Sequence, residues 1–261
     1  MKKYIIIHCV LFILASCVDK YKPDLSPASE NIVVEGLITN VAEPYTVKLT
    51  RLKNVYESFS DSLSGALVTV SDNDGKTYLF QEKTQGIYQS DPNVFTALVG
   101  KKYTLKVDTK EGQKLQSSEE LMMDSQKIES VNNVYKDASS GNRGFYVYIH
   151  FKDLPEEGNY YRWETTYYPT KPRCGDINPC CGDCWYVRRT PENIVVSSDE
   201  NYNNKLVESQ IYILAYESRS KVFINIVQYS TTASTYTFWK ELRKQISNVG
   251  SIFDPTPASI A

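Results

Sequence analysis

The chain of 261 residues carries 29 Lys and Arg against 31 Asp and Glu, a formal net charge of −2. Such a balance lacks the clustered positive charge that nucleic-acid binding requires and argues against that class of partner. With 41% hydrophobic residues the chain can bury a real core, at a length that suits one large or two small domains, and its 20 tyrosines favour pleated, half-buried strands.

At the N-terminus Lys2 and Lys3 precede an apolar run from Tyr4 to Leu14, and Leu14-Ala15-Ser16-Cys17 follows. A charged start, a short apolar stretch and small residues before a cleavage point form an export signal, here residues 1–16. The stretch falls well short of the roughly 20 residues that a membrane-spanning helix needs. A cysteine directly after Ala15-Ser16 offers its thiol for diacylglyceryl transfer, and the pattern resembles the bacterial lipobox. Cys17 is therefore expected to be the lipidated first residue of an exported protein. Removing Lys2 and Lys3 from 29 basic residues leaves 27 against 31 acidic, a mature net charge of −4. Residues 17–30 are polar, contain Pro23 and Pro27, and read as a tether between lipid and folded body. Several acyl chains, each adding about 0.8 kcal/mol per buried methylene, make such an anchor durable. The lysine-and-acid stretch after Cys17 is compatible with outer-membrane sorting, and the side of the membrane stays open.

Residues 31–121 read as a small β-sandwich of immunoglobulin-like or transthyretin-like type. Ile32 to Ile38 and Tyr45 to Thr50 form strands, the second alternating apolar with polar. Ala66 to Val70 runs into Asp72-Asn73-Asp74-Gly75, a tight turn, and Thr77 to Phe80 returns. Gly86-Ile87-Tyr88, Tyr103 to Val107 and Lys114 to Gln116 complete the set. A calcium reading of the Asp-rich turn fails, because an EF-hand loop would need acidic ligands where Val70 and Gln81 stand.

Residues 122–261 read as a second β-rich domain. Phe145, Val147, Ile149 and Phe151 alternate with Tyr146, Tyr148 and His150, and strands are also expected over Tyr160–Tyr168, Ser209–Tyr216 and Lys221–Tyr229. Tyr236, Trp239, Leu242 and Ile246 recur at helical spacing, which predicts one helix over Ser234–Asn248, capped by Ser234 and laying an aromatic stripe on a sheet. His150 stands alone in the mature chain, so it cannot build a two-histidine metal site, and it reads as an outward or edge residue.

Four cysteines fall within eleven positions: Cys174, Cys180, Cys181 and Cys184. In an oxidising compartment an even set reads as a disulfide framework, with three pairings open. Cys181-Gly182-Asp183-Cys184 also has the spacing of half a zinc site, but a structural site usually presents two such knuckles. Tyr160, Tyr161, Trp163, Tyr167, Tyr168, Trp185 and Tyr186 flank this loop as candidate binding aromatics, for stacking on sugars or anchoring a protein. No serine sits in a nucleophile elbow, and the adjacent Glu156 and Glu157 diverge in an extended turn, so neither a triad nor a glycosidase pair is indicated. No enzymatic activity, cofactor or metal is expected.

Asn31-Ile32-Val33-Val34-Glu35-Gly36-Leu37-Ile38-Thr39, the stretch Gly65 to Gly75, Gly86-Ile87-Tyr88, Val99 to Leu105 and Gly250-Ser251-Ile252-Phe253-Asp254-Pro255, together with the lipobox, resemble the Bacteroidota lipoproteins grouped as domain of unknown function 4249. The resemblance implies a cell-envelope lipoprotein encoded beside TonB-dependent outer-membrane receptors. It carries no catalytic or binding residue, since the family has none assigned. Members continue past the Phe-Asp-Pro segment, so the resemblance implies a chain truncated at its C-terminus. The expected function is a non-enzymatic outer-membrane lipoprotein, accessory to a TonB-dependent receptor. A stand-alone glycan or peptide binder and a structural envelope protein are the alternatives.

Overall fold

The computed structural model describes residues 32–51, 61–137, 139, 142–172, 183–185, 187–189, 193–216 and 221–247. The export signal and tether expected over 1–30, with Cys17, lie outside them. The fold is mainly β, as expected, with antiparallel sheets of nine, three and five strands and one helix among the described residues.

The nine-stranded sheet comprises β1 (Ile32–Leu37), β2 (Thr46–Arg51), β3 (Asp61–Ser62), β4 (Leu67–Asp72), β5 (Thr77–Thr84), β6 (Ile87–Gln89), β7 (Lys102–Asp108), β8 (Lys114–Gln116) and β9 (Glu120–Leu121). Its order is β1-β2-β6-β5-β4-β7-β8, with β3 on β2 and β9 on β7. β5 is the spine of the bend. Its first half pairs with β4, Phe80 opposite Val68, and its second half pairs with β6, Glu82 opposite Tyr88. A register irregularity between Glu82 and Thr84 adds twist there. The expected sandwich is thus realised as one sheet curled into a half-barrel, whose two wings close on a shared core.

Period-two alternation supplies that core. Val47 and Leu49 of β2, Val68 and Val70 of β4, and Tyr103 and Val107 of β7 point inward. Outward-facing Lys48 pairs with Glu35 at 2.9 Å. Phe95, from the connection between β6 and β7, fills the centre against Tyr45, Tyr78, Phe80 and Tyr103, with ring centroids 4.1–6.3 Å apart. Gly86 turns the chain at φ +72°, and a Cβ there would lie 2.7 Å from the Leu49 carbonyl oxygen, so glycine is required by both backbone shape and space.

The second region contains β10 (Ile128–Lys136), β11 (Gly144–Lys152), β12 (Tyr160–Pro172), β13 (Asp183–Trp185), β14 (Arg188–Arg189), β15 (Val195–Ser198), β16 (Leu206–Ala215), β17 (Val222–Thr231) and the helix α1 (Ala233–Ser247). The three-stranded sheet β10-β11-β16 packs on a sheet built around β12. Val147, Ile149, Phe151, Tyr161, Trp163, Val207 and Ile211 form the core between them. Two buried aspartates pin one end of it. Asp153 accepts from the Tyr161 hydroxyl at 2.5 Å and from Asn204 N–H at 3.1 Å. Asp199 accepts from the N–H groups of Gly158 and Asn159, each at 2.9 Å.

The helix starts one residue before the expected point, and its cap differs. Thr232 accepts from Thr235 N–H through its hydroxyl and from Tyr236 N–H through its carbonyl, which is the N-cap arrangement. Ser234, expected to cap, instead donates to Glu120 at 2.7 Å and ties the helix start to the first region.

Candidate binding surface

The candidate aromatics divide between the two faces of β12. Tyr161 and Trp163 point inward and are 0% and 2% exposed, so they belong to the core and present no ring to a ligand. Trp163 donates its indole N–H to Gln228 at 2.7 Å, and both rings pack on Phe151. Tyr160, Tyr167 and Tyr168 are half-buried, on Tyr236, Tyr212 and Phe223 respectively. Among the described residues, Trp185, 52% exposed, is the one expected ring that stands free to meet a partner. Tyr186, Cys174, Cys180 and Cys181 lie outside the described residues. Cys184 is placed by its backbone alone, paired with Lys171 between β13 and β12.

On the outer face of β12, Arg162 holds the helix. Its guanidinium lies 4.0 Å from the Trp239 ring centroid and 5.2 Å from that of Tyr229, with Glu164 at 3.4 Å. Burial first, and then the Glu164 carboxylate, push the Tyr229 phenol above its ordinary pKa. Since α1 buries none of its residues completely, this stack and the Tyr160–Tyr236 contact carry its docking. Arg162→Ala is expected to loosen the helix by about 1–2 kcal/mol, the loss of a partly desolvated cation–π pair. Faster amide exchange confined to residues 236–247 is the measurement, and unchanged exchange would show that the stack is not what holds the helix.

A second aromatic group was invisible as a motif because three strand ends build it. Tyr135 of β10, Phe145 of β11 and Tyr216 after β16 place their ring centroids 5.4–6.4 Å apart. Arg143 crowns them, 4.3 Å from the Tyr216 ring centroid and donating from Nε to the Tyr135 hydroxyl at 2.9 Å. The geometry lies on the core-facing side of the sheet, beyond the part of it that β12 covers. Tyr135 is 43% exposed and Tyr216 41%. Exposed tyrosine beside arginine is the composition of interface hot spots: rigid amphipathic area with polar edges. The only sequence signal was Phe145, the first apolar position of the β11 alternation.

The opposite face of the same sheet is polar. Lys136 lies 4.2 Å from the Tyr146 ring centroid and donates to the Tyr148 hydroxyl at 3.0 Å. His150 faces outward between Asn132 at 3.2 Å and Glu208 at 3.4 Å, a surface hydrogen-bonding position. An open cleft of about 500 Å³ lies between β15, β16 and α1, lined by Asn193, Gln210, Tyr212 and Arg243 among others.

The Asp-rich turn is closed by its own contacts. Asp72 accepts from the N–H groups of Asp74 and Lys76 and from the Tyr78 hydroxyl, and Lys101 pairs with Asp74 and stands 3.7 Å from Asp72. Burial pushes the Asp72 carboxyl up, but these donors and the Lys101 charge outweigh it and hold the pKa below the ordinary range. Among the described residues no group of three His, Cys, Asp or Glu side chains could hold a metal ion.

Comparison with curated proteins finds no significant match. A family model described as a domain of unknown function (DUF4249) matches residues 18–261, which takes in both sheet regions and the helix. The chain therefore belongs to the DUF4249 family.

Proposed function

We propose that this protein is a non-enzymatic binding component of the bacterial outer membrane, held there by lipid on Cys17 and acting as an accessory to a TonB-dependent receptor. The observation that carries the binding half is the exposed Tyr135–Phe145–Tyr216 group under Arg143, since apolar ring surface is left in water at a sheet margin. The anchoring half rests on Leu14-Ala15-Ser16-Cys17 after a short apolar run. The receptor as partner rests on the family resemblance, an argument by association.

Affinity purification of the lipidated protein from its native membrane tests the partner. A TonB-dependent receptor recovered in stoichiometric amount is the expected result, and recovery of the protein with no receptor would overturn the accessory reading. Cys17→Ala is expected to move the protein from the membrane fraction to the soluble fraction, because the loss of acyl chains removes about 0.8 kcal/mol per methylene. A variant that sediments with membranes as the parent does would refute the anchor.

A further inference from the structure

β16 ends the three-stranded sheet, β15 lies at the margin of the sheet around β12, and the cleft of about 500 Å³ runs between them. Its floor is apolar: Ile211 is 2% exposed and Ile194 7%, with Val195 beside them. Backbone groups of β16 open into it. The Tyr216 N–H donates to the Arg143 carbonyl, which makes these two residues a hydrogen-bonded pair. Along a strand, successive residues aim their backbone groups alternately at the two neighbours, so Leu214 and Tyr212 face β11. Ile213, opposite Tyr146, therefore turns its N–H and C=O away from β11, on the side where the cleft lies.

Two side chains add to these groups. Asn193 donates from Nδ2 to the Ile211 carbonyl at 3.2 Å, which fixes its amide and leaves Oδ1 as an acceptor. Arg243 comes from the helix. Tyr236, Trp239 and Arg243 follow one another at helical spacing, the first on Tyr160, the second on Arg162 and the third at the cleft. Among the described residues no carboxylate pairs with Arg243, whereas its neighbour Lys244 is held by Glu241 at 2.6 Å. The cleft thus offers one cation, one amide donor and two acceptors above an apolar floor, and these groups converge in a concavity, which suits a small ligand better than a folded surface.

The chemistry of the lining narrows the ligand. Arginine matches a carboxylate with two parallel donors, and a single cation suits a singly charged group better than a phosphate. A fatty acid would leave the Asn193 oxygen and the Ile213 carbonyl without donors. A sugar stacks on a free ring face, and the lining ring, Tyr212, is packed on Tyr167 with centroids 5.7 Å apart. A peptide end carries a carboxylate, an apolar side chain and an amide that both donates and accepts.

We propose that this cleft binds the C-terminal end of a short peptide. The terminal carboxylate sits on Arg243, the last side chain lies over Ile194, Val195 and Ile211, and the preceding amide bonds to Ile213 and Asn193. The site shares no residue with the Tyr135–Phe145–Tyr216 group, and its failure would leave the receptor reading untouched.

The test uses the full chain and N-acetyl-alanyl-alanyl-leucine, followed by calorimetry and hydrogen exchange. The tripeptide is expected to bind one per chain with Kd on the order of 0.1 mM and to slow exchange at the Ile213 amide. Its C-terminal amide, which keeps every other group, is expected to bind about tenfold more weakly at low salt. Arg243→Gln, at an exposed and unpaired position, is expected to leave exchange of residues 236–247 as in the parent and to bring acid and amide to equal affinity. Lengthening the peptide at its N-terminus to twelve residues is expected not to tighten binding. Equal affinity of the parent for acid and amide, an acid preference that survives in Arg243→Gln, or unchanged Ile213 exchange under saturating peptide overturns the proposal. Binding of the twelve-residue peptide alone overturns the assignment to short peptides.

Discussion

Replacing Trp163 by alanine is expected to cost about 3–5 kcal/mol of stability, while Trp185→Ala is expected to stay within about 0.5 kcal/mol of the parent. The two residues share an amino-acid type and flank one loop, but their surroundings differ. Trp163 is buried against Phe151 and Tyr161 and donates to Gln228, so its loss leaves a large cavity and a part-buried amide oxygen without its donor. Trp185 is 52% exposed, and its truncation removes little from the interior. Urea unfolding followed by circular dichroism measures both. A Trp163→Ala variant as stable as the parent would mean that the two sheets do not close on this ring.

Stability is expected to fall steeply above about pH 10, through phenols that the fold keeps protonated. Burial first, and then the hydrogen bond to Asp153 with its charge, raise Tyr161 far above the ordinary range. Burial also raises Tyr45, with Glu43 adding to it, and Tyr88, with Glu82 adding to it, against the lowering effect of backbone bonds from Ala97 and Ala66. The direction follows from linkage. The unfolded chain releases these protons near pH 10 and the folded chain does not, so folding holds more protons and each further pH unit favours unfolding. For each phenol that stays protonated the loss is at most about 1.4 kcal/mol per pH unit. Below pH 10 these groups add no pH dependence. Urea midpoints at pH 9, 10, 11 and 12 measure the slope, and Tyr161→Phe should flatten its upper part while lowering stability at neutral pH, since Asp153 then loses a buried donor. A midpoint level from pH 9 to 12 would contradict the burial of these rings.

Strands that face water on one side and core on the other were legible from sequence. β2, β4, β7 and β11 carry the period-two pattern, and the Asp72–Gly75 turn marked its hairpin, with Gly75 at φ +88°. The helix was placed to within one residue at each end, because Tyr236, Trp239 and Leu242 repeat at the helical period. β10 went unnoticed for the converse reason: with seven exposed positions in a row it carries no alternation to read. Phe95 gave no signal either, since a core residue supplied by a connection has no period.

The sequence by itself determined the mainly β class and the inward rows of β2, β4, β7 and β11, because these depend on local order and spacing. Only the tertiary structure decided that Tyr161 and Trp163 are interior while Tyr135, Phe145 and Tyr216 meet at the surface under Arg143. Which ring is covered depends on where the opposite sheet stops, and which rings meet depends on the pairing of β11 with β16, such as Gly144 with Ala215, from distant parts of the chain. Neither quantity is a property of any short stretch of chain.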